Sequence, residues 1–282
     1  MPQVVRPFVA DQPWNTGILP GVEDGMTQLV DRTITALRSE HDTLAKLVGS
    51  LTDEQLAATS GASEWTVAQA LSHLGSGAEI GLAPIARAAG ETVAAEDNQT
   101  IWARWDSSTP RAQAEGFLEH NGRWLDTVEA FTPEQRSSLT VDLGFLPEPV
   151  PLLTALGMRL SEVANHSWDV RVAFDPAAGV DAGSAEVLVE LLSGPVSFLL
   201  GFLAKPAELS DPVSIAVPGG GLVIDGAVSV ADHLEAPSAT FDGPPEAFVR
   251  LISGRLKAPY DHGVTVEGSV TLDDLRRVFP GF

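Results

Sequence analysis

One predicted helix, at about residues 151–173, has ionisable side chains on the face that its apolar residues would bury. Its apolar residues recur at helical spacing and form a single stripe, made of Leu152, Leu156, Val163 and Val170. Arg159 and His166 fall on the same stripe, and Glu162 lies beside it. A buried polar group is costly unless it has a partner. The fold must therefore provide partners for these three side chains.

Glu162 and His166 stand one above the other on this helix, because residues four apart share a helical face. A carboxylate and an imidazole held in this way could bind a divalent metal. The spacing also arises easily by chance. A Glu–His pair that contacts solvent or a buried loop is the alternative, and the motif alone leaves both interpretations open.

The composition excludes several classes of function. A chain of 282 residues has room for two domains, and its net charge of −21 argues against nucleic acid and anionic membrane as partners. It has no apolar run as long as a membrane span and no recognisable signal peptide, so we expect a cytoplasmic protein. Because it contains no cysteine, any thiol in its chemistry must arrive with a ligand.

Three further helices are predicted before residue 151. The first covers residues 24–50, and His41 takes one place in its apolar series. We predict a buried histidine that is satisfied in the core or supports a metal ligand; a direct metal ligand is the alternative. The second begins after Thr66, which with Gln69 forms a capping box, and it carries His73 close to several glycines.

The third helix begins at Pro110 and ends near Ala130, and on it we predict that His120 and Asn121 face solvent or a pocket. Long connections separate the second helix from the third and the third from the helix at 151–173. Together the four helices predict a four-helix bundle.

The pattern changes after residue 178. A fifth helix at about residues 183–204 is apolar on nearly all sides and is expected between two layers. Short β-like runs follow at 213–217, 219–224, 239–241 and 264–266, with helices after Pro244-Pro245 and at 272–279. We therefore predict a multidomain α+β protein, with an arm at residues 1–23, a bundle at 24–178 and a smaller α+β domain at 179–282.

Two motifs resemble a known family when they are taken together. They are Trp65-Thr-Val-(x5)-His73-Leu74 and Arg159-(x2)-Glu162-(x3)-His166-(x2)-Asp169. Their order and spacing resemble the DinB-like bundles of the mycothiol-dependent maleylpyruvate isomerase family. The ending, residues 264–282, looks like the sterol-carrier-like C-terminal domain of those enzymes, so the resemblance covers about residues 24–282.

The resemblance implies a metal site and a thiol cosubstrate. His73, Glu162 and His166 match the family's metal triad, usually zinc, and such a set with one open position is typical of catalytic zinc. The sulfur ligand would be mycothiol, a thiol of actinobacteria, held as its thiolate. In the isomerase that thiolate would add to the double bond of maleylpyruvate, and rotation and expulsion would give fumarylpyruvate. Relatives instead transfer the thiol to an electrophile, and the fold does not decide between these outcomes.

Supporting roles follow from the same resemblance. Asp169 could orient the ring of His166 or serve as a surface or capping residue. Arg159 could bind a substrate carboxylate or pair with Glu162. An arginine of the second domain could complete the site: we select Arg255, while Arg250 competes and an ordinary surface arginine is the alternative. Trp168 is predicted in the core.

Two other functions stay open at this point. One is a metal-dependent hydrolase that uses the same triad. The other is a non-enzymatic carrier of small molecules or lipids, which would use the apolar fifth helix and the second domain. The leading hypothesis requires a small electrophilic substrate and a low-molecular-weight thiol as partners, in a monomer or a homodimer.

Overall fold

The computed structural model describes residues 22–94 and 96–281. The arm predicted at residues 1–23 therefore lies outside the described residues, apart from its last two positions. Those two residues already belong to the first helix, which is Val22–Val48 and so begins and ends two residues before the predicted range.

Four long helices build the N-terminal half, as the sequence predicts. They are α1 (Val22–Val48), α3 (Val67–Ala88), α5 (Pro110–Glu129) and α7 (Leu152–Val172), and the shorter helices between them are α2 (Asp53–Leu56), α4 (Asn98–Asp106) and α6 (Pro133–Ser138). A small antiparallel pair, β1 (Thr140–Val141) and β2 (Val150–Pro151), precedes α7. Helix α3 packs along α5, and α1 packs along α7.

The predicted helix starts are confirmed by their caps. The Thr66 hydroxyl accepts a hydrogen bond from the Gln69 backbone N–H at 3.2 Å, and the Gln69 side chain accepts one from the Thr66 N–H at 2.9 Å. Thr109 caps α5, and Pro110 is its first residue. Helix α4 is not predicted; it lies in the connection between α3 and α5, where Asp97 caps it and Trp105 is buried.

Helix α3 passes very close to the indole of Trp105. A Cβ atom placed at Gly75 would lie 2.6 Å from Cζ3 of Trp105, and one placed at Gly116 would lie 2.8 Å from its Cη2. A helical glycine costs about 1 kcal/mol relative to alanine. At Gly75 the missing side chain leaves the space that the indole fills.

We expect Gly75→Ala to destabilise the fold by about 1–3 kcal/mol, because the added methyl group overpacks against Trp105. The measurement is the free energy of unfolding in urea, followed by circular dichroism. Gly25→Ala is the matched control: Gly25 is also helical, but a Cβ there meets nothing within 4 Å. This control should gain up to about 1 kcal/mol. Equal effects of the two substitutions would contradict the close packing.

The C-terminal half is built around a five-stranded sheet. The strands are β3 (Val213–Val217), β4 (Gly220–Asp225), β5 (Ala227–Ala231), β6 (Ala239–Asp242) and β7 (Thr265–Gly268), in the order β5-β4-β3-β6-β7, with only β3 and β6 parallel. All but β5 are predicted. The helices after Pro244 and near residue 272 are confirmed as well, as α10 (Pro245–Ile252) and α11 (Leu272–Val278).

The single fifth helix predicted at residues 183–204 is wrong. Helix α8 covers Ala182–Leu192 only, and after a break the chain forms a 3-10 turn at Ser197–Leu199 and a short helix, α9 (Leu200–Leu203). Pro195 explains the break, because proline has no N–H to donate and disfavours helical backbone in the residue before it. Among the described helices, none is by itself long and apolar enough to span a membrane; α8 and the 197–203 segment meet that test only as a pair bent by 87°.

Helix α8 lies between the two halves, since it packs against α1 and α7 of the bundle and against α10. Seven of its eleven residues are buried. This confirms the predicted fold class, a helical N-terminal part with a smaller C-terminal sheet domain. The boundary at residues 178–179 stays a prediction.

Candidate metal centre

Two long helices supply the three side chains of the predicted triad. Helix α7 carries Glu162 and His166 at i and i+4, and α3 carries His73. Nε2 of His73 lies 2.9 Å from Oε2 of Glu162, and Nε2 of His166 lies 3.7 Å from the same oxygen. One ligand atom from each of the three residues lies within 4.8 Å of the other two.

This spacing fits a single metal ion. Ligand bonds of 2.0–2.1 Å in tetrahedral geometry would place the donor atoms about 3.3 Å apart, between the two distances observed. Two imidazoles and one carboxylate form a donor set that suits zinc and related divalent metals. The structure brings the predicted residues together, and their role as metal ligands is a proposal that we develop below.

The cluster is open on one side. The side chain of Glu162 remains 54% exposed and that of His73 41% exposed, whereas that of His166 is only 13% exposed. Surrounding protein tends to raise the pKa of Glu162, but the hydrogen bond with His73 and the charges of His166, His73 and Arg159 lower it to about 2. Glu162 is therefore an ionised carboxylate that is half exposed to solvent.

Asp169 lies behind His166, within hydrogen-bond distance of its ring. Its side chain is fully buried, and Oδ2 lies 2.8 Å from Nδ1 of His166. Burial alone would raise the pKa of Asp169, but the hydrogen bonds from His166 and Arg255 outweigh it, and the pKa is lowered. In the tautomer that donates its Nδ1–H to Asp169, His166 presents the lone pair of Nε2 to the cluster.

Arg255 reaches this site from the C-terminal half. Its Nε donates to Oδ1 of Asp169 at 3.0 Å and its Nη2 donates to Oδ2 at 2.7 Å, a bidentate ion pair. Gly254 makes the approach possible: its φ is +72°, and a Cβ there would lie 2.8 Å from the carbonyl carbon of Pro280. Arg255 therefore contacts Asp169, and not the open side of the cluster.

The competing Arg250 is not at the site. It pairs with Glu246 at 2.8 Å, donates to the backbone oxygen of Tyr260 at 2.6 Å, and its guanidinium carbon lies 5.5 Å from the ring centre of Trp168. Trp168 is 1% exposed and belongs to the core, as predicted.

Arg159 lies one helical turn before Glu162 and contacts the bundle interior. Its Nη2 donates to the backbone oxygen of Leu74 and to Oδ1 of Asn121, both at 2.7 Å. No ion pair joins Arg159 to Glu162 within 4.0 Å among the described residues. Burial lowers the pKa of Arg159 to about 10 and the charge of Glu162 opposes this, so the guanidinium stays charged at neutral pH.

The remaining histidines predicted on the bundle helices have other partners. His41 is buried and hydrogen-bonded to Asn121, which confirms the prediction of a satisfied histidine. Asn121 is 2% exposed and does not face solvent. His120 packs edge-on against Trp105, with ring centres 5.5 Å apart.

Trp65 contacts both histidines of the cluster, a role that the sequence does not predict. Its ring centre lies 5.0 Å from that of His73 and 5.4 Å from that of His166, and it stacks on His166 with an angle of 27° between the planes. The only sequence signal was its place in the motif that ends at His73. The indole therefore packs against both imidazoles of the cluster.

Residues 37–171 match the family described as the mycothiol maleylpyruvate isomerase N-terminal domain. This part of the chain belongs to that family. The matched range includes the three clustered side chains and Asp169, while Arg255 lies outside it. In this mycothiol maleylpyruvate isomerase N-terminal domain, the cluster thus lies between the second and fourth long helices of the bundle.

Solved structures extend the similarity to the C-terminal half. Two crystal structures of the mycothiol-dependent maleylpyruvate isomerase, one of them a mutant, superpose with TM-scores of 0.57 and 0.56. They share 18% and 17% sequence identity with this chain, and each match covers 86% of this chain and 94% of the other. At this identity the likeness shows the fold. A comparison with curated proteins found no match.

Proposed function

We propose that this chain is a metal- and mycothiol-dependent enzyme that adds the mycothiol thiolate to an electrophilic small molecule. The observation that carries the proposal is the His73–Glu162–His166 cluster, whose donor atoms lie within 4.8 Å of one another and whose His73 and Glu162 are exposed. The family of residues 37–171 and the fold shared with the mycothiol-dependent maleylpyruvate isomerase support the choice of thiol. The absence of cysteine agrees with a sulfur that comes from a ligand.

His73, Glu162 and His166 would hold the metal, and zinc suits this donor set. A divalent metal bound there would favour the deprotonated form of an incoming thiol at neutral pH. Asp169 keeps His166 in the tautomer that presents Nε2, and Arg255 holds Asp169 in place. Trp65 limits the movement of both imidazoles.

The reaction we propose is addition of the thiolate to a carbon–carbon double bond, as in the isomerisation of maleylpyruvate. The sulfur–carbon bond forms, the former double bond rotates as a single bond, and expulsion of the thiolate restores the alkene in the trans form. No atom is gained or lost. With an electrophile that carries a leaving group, the same thiolate would stay attached, and the product would be a thioether.

The test combines purified, zinc-loaded protein with mycothiol and maleylpyruvate, and follows both fumarylpyruvate and free thiol. We expect product only when mycothiol is present, and at least a hundredfold lower rate for His73→Ala, since a metal supplies several kcal/mol of stabilisation. His233→Ala is the matched control, because His233 is an exposed histidine outside the cluster.

Two outcomes would contradict the proposal in different ways. Turnover of an ester or amide without any thiol would support a metal-dependent hydrolase on the same three residues. A lack of thiol consumption with every electrophile, together with binding of a lipid, would support a carrier.

A further inference from the structure

A chain of buried hydrogen bonds crosses the bundle from α1 to α7. His41 on α1 is 8% exposed and Asn121 on α5 is 2% exposed, and Nδ2 of Asn121 lies 2.9 Å from Nδ1 of His41. On its other side, Oδ1 of Asn121 accepts from Nη2 of Arg159 at 2.7 Å. The same Nη2 donates to the backbone oxygen of Leu74 on α3, so the chain ties together all four long helices.

The chemistry of the groups fixes where each proton lies. A guanidinium can only donate, so the atom of Asn121 that faces Arg159 must be its oxygen. The amide nitrogen then donates to Nδ1 of His41, which must be unprotonated. His41 is therefore neutral, and its lowered pKa, caused first by burial and then by the charge of Arg38, agrees with this state.

These hydrogen bonds use only part of the Arg159 guanidinium. Nη2 donates both of its protons, but among the described residues neither Nη1 nor the buried Nε has an acceptor. Gly77, one turn after His73 on α3, leaves room for Nη1, since a Cβ there would lie 3.0 Å from it. In Arg255, by contrast, all three nitrogens have acceptors: Nε and Nη2 donate to Asp169, and Nη1 donates to the backbone oxygen of Ser253. Because Nε is buried, Nη1 is the donor of Arg159 that is left for a ligand beside the cluster.

We propose that His41 and Asn121 are positioning residues that hold Arg159 so that its Nη1 binds a carboxylate of the substrate. This rests on the proposed function, which places the electrophile at the metal cluster. Along the helix axes, Arg159 lies about one turn from Glu162 and Gly77 about one turn from His73, which is a distance of about 5.4 Å. A carboxylate bound by Nη1 of Arg159 would therefore lie about one helical turn from the metal cluster.

The test is calorimetric titration of the zinc-loaded protein with succinate, a dicarboxylate without an electrophilic carbon, and with its neutral analogue succinamide. We expect His41→Leu to weaken succinate binding roughly tenfold, because Asn121 loses its acceptor and no longer holds Arg159. His41→Asn should bind like the unchanged protein, since its amide oxygen can replace Nδ1. Arg159→Lys should lose the preference for succinate over succinamide, while zinc content stays the same in all three variants.

Equal succinate affinity in His41→Leu and the unchanged protein would overturn the positioning role, and an unchanged preference in Arg159→Lys would overturn the carboxylate site. If His41→Leu does not fold, His41→Gln replaces it, because the longer side chain misplaces the acceptor. Succinate binding needs no thiol or turnover. Failure of the mycothiol assay with intact succinate binding would thus reject only the proposed function, whereas turnover without succinate selectivity would reject only this inference.

Discussion

His166→Ala is expected to abolish zinc binding while the helical fold remains. His166 supplies one of the three proposed ligands from the least exposed position of the cluster, with a side chain 13% exposed. Loss of one imidazole leaves Glu162 and His73, and two ligands on an open cleft cannot retain the ion against a chelator. The bundle should persist because its core depends on many apolar contacts besides this ring.

The measurement is zinc content per chain after dialysis against a weak chelator, with circular dichroism to follow the helices. His262→Ala is the matched control, since His262 is exposed and lies outside the cluster. We expect one zinc per chain in the control and none in His166→Ala. Full zinc content in His166→Ala would remove this residue from the ligand set.

Asp169→Ala is expected to cause the largest loss of stability. The substitution leaves the guanidinium of Arg255 without its partner and His166 without an acceptor for Nδ1. Removing one member of a buried ion pair costs about 3–5 kcal/mol, and we expect the lower end because the Arg255 side chain keeps 18% exposure. The free energy of unfolding in urea measures the effect.

A double-mutant cycle isolates the pair. Arg255→Ala removes the cation, so the double variant Asp169→Ala/Arg255→Ala should recover part of the loss. Asp169→Asn keeps the shape of the side chain, and should lower zinc affinity about 10- to 100-fold through weaker support of His166. If the two single substitutions simply add in the double variant, Asp169 and Arg255 are not coupled.

The sequence predicts those features that depend on neighbouring residues. Capping boxes such as that of Thr66 and Gln69 define helix starts, and the i, i+4 spacing of Glu162 and His166 places both on one face. The third residue of the predicted metal triad, His73, was predicted only from the family resemblance. Periodicity alone cannot join it to Glu162, since the two residues are 89 positions apart.

What the sequence does not predict depends on tertiary contacts. The bidentate pair between Arg255 and Asp169 joins residues 86 positions apart, and no local pattern selects Arg255 over Arg250. The stacking of Trp65 on His166 also joins residues that are far apart in the sequence, so no local pattern predicts it. The break before Pro195 is different, since proline is a local signal that the strong apolar pattern of this segment outweighed.

Because one buried carboxylate is shared by an imidazole of the bundle and a guanidinium of the C-terminal half, the two halves do not act on the cleft independently. A small shift of the smaller half would pull on Asp169 and rotate the ring of His166. The orientation of the His166 ring thus depends on the relative position of the two halves. An isolated N-terminal fragment would lack the contact between Arg255 and Asp169 that restrains this ring.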